Sequence, residues 1–197
     1  MMTVRQIERH WNARNYGRLL ADLLAARPEA SLHLGIDMAR PPAAAAAALA
    51  IIRLDELSQS DRKVHQPLLR AILSAQQADG GWGDFVITAL CLRALLCGNG
   101  NGIAIERGMK YLADLQKPEG IWPNVPIRRM PADPYVSALI LYQLADQPRF
   151  RQTIRIGDAV KWFARNQPNL DAESRELWQR ASRRCPAPQP QMQPSLC

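Results

Sequence analysis

Two aspartates stand where a carboxyl group could act as an acid. Asp84 and Asp133 each come directly before a long apolar run, where the mouth of a cavity between helices could lie. The same position suits a helix N-cap, in which the carboxylate accepts a backbone N–H. Pro134 follows Asp133, and proline is favoured at the first position of a helix. An N-cap is therefore the preferred interpretation of both aspartates, and a catalytic acid is the alternative.

A pair of arginines is the second candidate for chemistry. Arg128 and Arg129 are adjacent in a proline-rich loop, residues 123–131. Two neighbouring guanidinium groups could bind a diphosphate or a carboxylate. Tyr135, a few residues later, is a further candidate for ligand binding. The alternative for the arginines is a solvated pair with no ligand.

No arrangement of residues predicts a metal or a cofactor. His10, His33 and His65 have no cysteine or carboxylate at a ligand spacing. The four cysteines contain no Cys-x-x-Cys pair and no disulfide framework. We therefore expect no cofactor, and a reduced, cytoplasmic setting is the simplest expectation.

Helices must position these residues, and the apolar pattern predicts two kinds of helix. Residues 60–77 and 102–116 have one apolar face and one charged face. Residues 84–97 and 133–145 are apolar nearly all round, which indicates helices buried on every side. Two layers of helices require this alternation, so the sequence predicts an all-α fold. The remaining predicted helices are 3–26 with a candidate break at 15–17, 29–39, 43–57, 148–166 and 170–183.

A short motif recurs between these helices with a period of about 40 residues, which is typical of stacked supersecondary units. A glutamine is followed at fixed spacing by a glycine and a tryptophan. The two copies consist of Gln76, Gly80 and Trp82, and then Gln116, Gly120 and Trp122. A third, incomplete copy ends at Gln167, where no Gly-x-Trp follows.

These copies resemble the QW repeat of squalene–hopene cyclases and of the wider terpenoid cyclase and protein prenyltransferase β-subunit superfamily. The second copy fits the family pattern from the basic Arg107 through Tyr111 to Trp122, whereas the first has Ala71 in place of the aromatic residue. The resemblance covers roughly residues 60–167. It implies an α/α toroid-like fold of helical hairpins, in which each Gln–Trp pair holds helix ends together.

The catalytic motifs of that superfamily are missing. The chain has no Asp-x-Asp-Asp acid, no Asp-Asp-x-x-Asp/Glu magnesium motif and no Asp-x-Cys zinc pair. It is also shorter than a closed ring of hairpins requires. The first hypothesis is therefore a non-catalytic helical module that binds a partner protein, a second copy of itself or a hydrophobic ligand. The alternative is an isoprenoid-processing enzyme, or a subunit of one, with Asp133 and Asp84 as its candidate acids.

The charge of the chain suggests a third hypothesis, a binder of nucleic acid or another anionic surface. The formal net charge is +7, and most of the 25 basic residues are arginines. Candidate contacts are Arg149, Arg151, Arg155 and Arg165. The arginines are spread along the chain, and no basic run is interleaved with aromatic residues, so nucleic-acid binding is disfavoured.

The chain is expected to form one helical domain over residues 1–184. Residues 185–197 are rich in proline and lack periodicity, which predicts a disordered tail. The longest apolar run, residues 43–52, is too short to span a bilayer, and the N-terminus has no apolar segment of a secretory signal. We therefore expect a soluble protein.

Overall fold

The computed structural model describes residues 3–25, 43–59, 62–98 and 100–185. These residues form α-helices joined by turns, with isolated β-bridges only, so the all-α prediction is confirmed. The helices are α1 Val4–Asn12, α2 Tyr16–Ala25, α3 Ala43–Glu56, α4 Arg62–Ser74, α5 Phe85–Cys97, α6 Gly102–Leu115, α7 Pro134–Leu144, α8 Pro148–Thr153, α9 Ile156–Asn166 and α10 Ala172–Ser182. A 3-10 turn, Gln167–Asn169, joins the last two.

Four helices form a row, in which α3, α5 and α7 are central and α10 is the half-exposed end. α3 packs against α5, α5 against α7 and α7 against α10, while α2 covers the outer side of α3. Residues 45–48 of α3, 89–92 of α5 and 137–141 of α7 are almost completely buried. Because an α-helix has 3.6 residues per turn, four consecutive residues point in all directions around its axis. The middle of each of these three helices is therefore enclosed on every side.

The amphipathic helices flank this row. α4 packs against α3 and α6 packs against α5. Each presents a charged or polar face outward, with Lys63 and Arg70 exposed on α4 and Glu106 and Lys110 exposed on α6. α9 joins α10 through stacked rings of Phe163 and Trp178. The alternation of enclosed and half-exposed helices follows the predicted apolar pattern.

The prediction of a single helix over 148–166 is wrong. The chain leaves the helical conformation at Ile154 and Arg155, which separates α8 from α9. Ile154 is buried in an extended conformation, and the Arg155 backbone N–H donates to the side chain of Gln116 at 3.1 Å. The partner that replaces the helical hydrogen bond comes from a distant part of the chain, which local periodicity does not show.

The predicted break near residue 15 is present, with Arg14 at a φ of 53° between α1 and α2. The predicted helix over 29–39 lies outside the described residues. The same holds for the predicted tail, except for Cys185, which packs against the core.

Candidate functional site

The first Gln-Gly-Trp segment forms a turn at the C-terminal end of α4. The Gln76 side-chain amide donates to the Gly80 carbonyl at 2.9 Å, and the Trp82 indole N–H donates to the Ile72 carbonyl at 2.7 Å. Most carbonyl groups in the last turn of a helix have no backbone N–H partner within that helix. Gly80 has a φ of 96°, in the left-handed region that favours glycine. Each of the three motif residues therefore has a distinct role in ending the helix.

The second segment makes the same hydrogen bonds at the end of α6. The Gln116 amide donates to the Gly120 carbonyl at 2.7 Å, and the indole N–H of the fully buried Trp122 donates to the Leu112 carbonyl at 2.8 Å. The φ of Gly120 is 88°. The two segments are therefore equivalent in their local hydrogen bonding.

Each glutamine also contacts the start of the next flanking helix. Gln76 donates to the Ala104 carbonyl in the first turn of α6 at 2.9 Å. Gln116 accepts the Arg155 backbone N–H at the start of α9 at 3.1 Å. The turns thus join α4 to α6 and α6 to α9, although each pair is far apart in sequence.

The segment predicted as a third, incomplete copy differs from the two Gln-Gly-Trp turns. Gln167 is exposed in the 3-10 turn after α9. Trp178 of α10 stacks on Phe163 with ring centroids 4.2 Å apart and planes 8° apart. An aromatic ring thus covers the end of α9, but it comes from the following helix. The Gly-x-Trp spacing gives no signal for it.

Arginine side chains bind backbone carbonyls at helix ends, a role that the sequence interpretation missed. Arg107 donates to the carbonyls of Gln77 and Ala78 at 2.9 and 3.1 Å, and Arg151 donates to the Ala145 carbonyl at 2.6 Å. A guanidinium group near the C-terminus of a helix also interacts favourably with the helix dipole. Arg93, Arg155 and Arg184 also donate to backbone carbonyls near the C-terminal ends of α7 and α6. Arg175 donates to the Leu170 carbonyl, which precedes α10.

This role bears on the arginines predicted to face an anionic surface. Arg151 and Arg155 are occupied with helix-end carbonyls, whereas Arg149 and Arg165 are exposed on α8 and α9. The four arginines therefore differ in their hydrogen bonding and do not form a single surface of unengaged guanidinium groups.

The candidate acids Asp84 and Asp133 are both helix N-caps. The Asp84 carboxylate accepts the Ile87 N–H at 2.7 Å, and Asp133 accepts the Val136 N–H at 3.0 Å. Burial raises the pKa of Asp84, although the backbone N–H groups that it accepts act in the opposite direction. The preferred N-cap interpretation is therefore confirmed by geometry for both residues.

An ion pair joins the C-terminal ends of α5 and α7. Arg93 Nη1 lies 2.6 and 2.9 Å from the two carboxylate oxygens of Asp146. Burial by itself would raise the pKa of Asp146, but hydrogen bonds from Gln147 and Arg93, with the positive charges of Arg93 and Arg184, lower it. The pair is only partly exposed, so solvent and salt screen it less than a fully exposed pair.

The proline-rich loop, residues 123–131, lies between the second Gln-Gly-Trp turn and α7. Its exposed fractions are 38% at Val125 and 47% at Ile127. Arg128 and Arg129 are also exposed, and neither forms an ion pair with any residue that the structure describes. The loop thus presents two aliphatic and two guanidinium groups to solvent.

Tyr135, the other ligand-binding candidate, follows this loop in the first turn of α7. It is half-buried, and burial together with the negative charges of Glu173 and Asp133 raises its pKa to about 12. Its hydroxyl therefore stays protonated at neutral pH. The nearby acidic groups make this position less favourable for an anionic ligand than the loop itself.

The described residues contain no group of His, Cys, Asp and Glu side chains that could hold a metal ion. Across the same ranges, every helix is too short or too polar to cross a bilayer. Comparison with protein-family models, with curated proteins and with solved structures finds no match to this chain.

Proposed function

We propose that this chain is a non-catalytic helical module that binds a partner protein through its surface. The observation that carries the proposal is the enclosure of α3, α5 and α7. Their middle residues, such as Ala46, Leu90 and Ile140, are 0% exposed. A side chain with no accessible surface borders no space large enough for a water molecule. A hydrophobic ligand lying along these helices would therefore require them to separate.

The surface offers a better candidate for binding than the interior. Among the described residues, the large apolar side chains that are exposed are Ile103, Val125 and Ile127, and two of these lie in the proline-rich loop. Arginine is enriched at protein interfaces, and two of these exposed aliphatic side chains lie within a few residues of Arg128 and Arg129. This supports the partner-protein hypothesis over the ligand hypothesis.

We further propose that the architecture is a partial α/α toroid with QW-type turns. The matching hydrogen bonds of the two Gln-Gly-Trp turns support this, because each turn ends one flanking helix and contacts the next. The alternation of enclosed and half-exposed helices supports it as well. In such an arc, Trp178 would serve as the cap of the last unit.

The proposal gives Asp84 and Asp133 a structural role. An N-cap carboxylate is engaged with backbone N–H groups, and its loss typically costs about 1 kcal/mol of stability. Substitution of either aspartate should therefore lower the free energy of unfolding and should not remove a catalytic group.

Two measurements test the proposed function. The first incubates the protein with squalene, and with farnesyl diphosphate and Mg²⁺, and looks for products by gas chromatography and mass spectrometry. We expect no product. A product made by the wild type and lost in Asp133→Asn, with an unchanged circular dichroism spectrum, would instead support an isoprenoid enzyme.

The second measurement pans a dodecapeptide library displayed on phage against the folded protein. We expect a family of related peptides to be enriched and to bind one saturable site. If no sequence family is enriched over several independent selections, the partner-binding proposal fails.

A further inference from the structure

The proline-rich loop is held in a defined shape although most of its side chains are exposed. The Lys117 ammonium group donates to the Met130 carbonyl at 2.9 Å and to the Arg128 carbonyl at 3.4 Å. At the base of the loop, the Asp133 N–H donates to the Trp122 carbonyl at 2.8 Å. A turn inside it is closed by the Met130 N–H, which donates to the Ile127 carbonyl at 2.9 Å.

Proline reinforces this shape. Residues 123, 126 and 131 are prolines, which fix φ and reduce the number of conformations that the unbound loop can adopt. A segment that is already ordered loses less conformational entropy when it binds. The loop therefore has the rigidity expected of a recognition element.

The exposed groups of the loop define the chemistry of its partner. Arg128 and Arg129 make no ion pair with the described residues, and the Lys117 ammonium, which donates to the Arg128 carbonyl, adds a third positive charge to the loop. A guanidinium group binds a carboxylate through two parallel hydrogen bonds, whereas Val125 and Ile127 offer an apolar surface to the same partner. We infer that residues 123–131 form a docking element for an acidic protein segment that carries aliphatic or aromatic side chains next to its carboxylates. The inference rests on the proposed partner-binding function and names its site and partner class.

Charge argues against a second copy of the chain as the occupant. Two loops packed face to face would bring four guanidinium groups together, and like charges in an interface oppose association. An acidic partner instead neutralises them.

The number of groups argues against a membrane or a nucleic acid. Each basic residue near an anionic membrane contributes about 1 kcal/mol, so Arg128 and Arg129 with two aliphatic side chains give only weak attachment. Duplex binding depends on neutralising many phosphates along a groove, and proteins that do so make about 6–10 phosphate contacts. A compact pair of arginines beside apolar groups fits a short peptide segment better.

The test repeats the phage selection and then measures binding of the enriched peptides, labelled with fluorescein, by fluorescence anisotropy. Four proteins are compared: the wild type, the Arg128→Ala/Arg129→Ala variant, the Val125→Ser/Ile127→Ser variant and an Arg149→Ala/Arg165→Ala control. The control removes two exposed arginines elsewhere, so it matches the change in net charge. Because all substituted side chains of the loop are exposed, circular dichroism and urea midpoints should match the wild type.

We expect the enriched peptides to contain paired Asp or Glu residues beside an aliphatic or aromatic residue. Both loop variants should weaken their binding at least tenfold, and the control variant should weaken it less than twofold. Enriched peptides without acidic residues, or an equal loss in the control, would overturn the assignment of the partner class.

Peptides that bind the loop variants as tightly as the wild type would place the interface elsewhere, and this inference would fail while the partner-binding function stood. The protein is also compared on a duplex oligonucleotide and on vesicles containing phosphatidylglycerol. If it binds either of these more tightly than the peptides, and the loop variants lose that binding, the partner is that polyanion and not an acidic protein. Absence of any enriched family is the separate outcome that removes the proposed function itself.

Discussion

Among the glycines of residues 80–157, Gly120 is the one at which a single added methyl group should disturb the structure most. A Cβ there would overlap the Ala159 nitrogen and lie 2.7 Å from the Asp158 carbonyl carbon, both in the backbone of α9. The left-handed φ of 88° costs a residue with a Cβ about 1–2 kcal/mol, and overpacking against a helix costs about 1–3 kcal/mol more. Displacing α9 would also weaken the Gln116–Arg155 hydrogen bond, at about 1 kcal/mol. We expect Gly120→Ala to lower the free energy of unfolding by about 3–6 kcal/mol.

Gly83 is the matched control for this prediction. Its φ is 96°, but the nearest atom to an added Cβ, the side-chain nitrogen of Gln77, is 3.9 Å away. Gly83→Ala should therefore cost only the conformational part, about 1–2 kcal/mol. The two variants and the wild type are compared by urea unfolding, followed by far-ultraviolet circular dichroism and tryptophan fluorescence. If Gly120→Ala is no more destabilising than Gly83→Ala, the close packing of this turn on α9 is wrong.

Three further predictions concern the hydrogen bonds, the ion pair and a thiol. Gln116→Ala should lower the free energy of unfolding by about 2–3 kcal/mol, and Gln76→Ala by about 1–2 kcal/mol. The difference arises because Gln116 is more deeply buried and also accepts a backbone N–H. Equal urea midpoints for the two variants would refute this ranking. The pKa of Asp146 in the folded state lies below its usual value of 3.8, so its stabilising contribution is full above that value and is lost as the pH falls through the folded pKa. Asp146→Asn should therefore be less stable at neutral pH but lose less stability in acid, and unfolding curves as steeply pH-dependent as those of the wild type would contradict this. Burial raises the pKa of the Cys97 thiol to about 11, so iodoacetamide should label it slowly at neutral pH in the native protein and quickly after denaturation, as followed by peptide mapping; equal rates would show that the thiol is not shielded.

The boundaries of the central helices could be predicted from sequence because local residues determine them. Asp84 and Asp133 cap α5 and α7, and those helices begin at the next residue. The predicted helix over 102–116 ends within one residue of α6, where Gln116 leaves the helical conformation. In each case the residue that ends or begins the helix acts on backbone groups close to it in sequence.

Contacts between distant residues could not be predicted in the same way. The separation of α8 from α9 depends on Arg155 bonding to Gln116, and the cover over α9 comes from Trp178 rather than from a Gly-x-Trp segment. The helix-end role of Arg107 and Arg151 was also missed, since an arginine at the surface gives no local signal of which carbonyl it will reach. These features arise from the packing of the helices, which periodicity alone does not specify.

In the candidate site, too, local features could be predicted from sequence, whereas features that depend on tertiary packing could not. The sequence identified Arg128 and Arg129, and the prolines around them indicated a loop. The exposure of Val125 and Ile127, and the anchoring of the loop by Lys117, required the structure. The sequence alone left a diphosphate or a carboxylate as the expected ligand of the arginines. The proposal of an acidic protein segment rests on these two additions, since they place apolar groups beside the charges.

Native mass spectrometry of the untagged protein after gentle purification distinguishes a surface-binding module from a module that encloses a ligand. A surface module with enclosed central helices should give the mass of the polypeptide without a bound small molecule, and one equivalent of an enriched acidic peptide should add to it. An additional mass of a few hundred daltons that survives purification and is released only on unfolding would contradict the account. It would show that the helices of the central row open around a hydrophobic ligand.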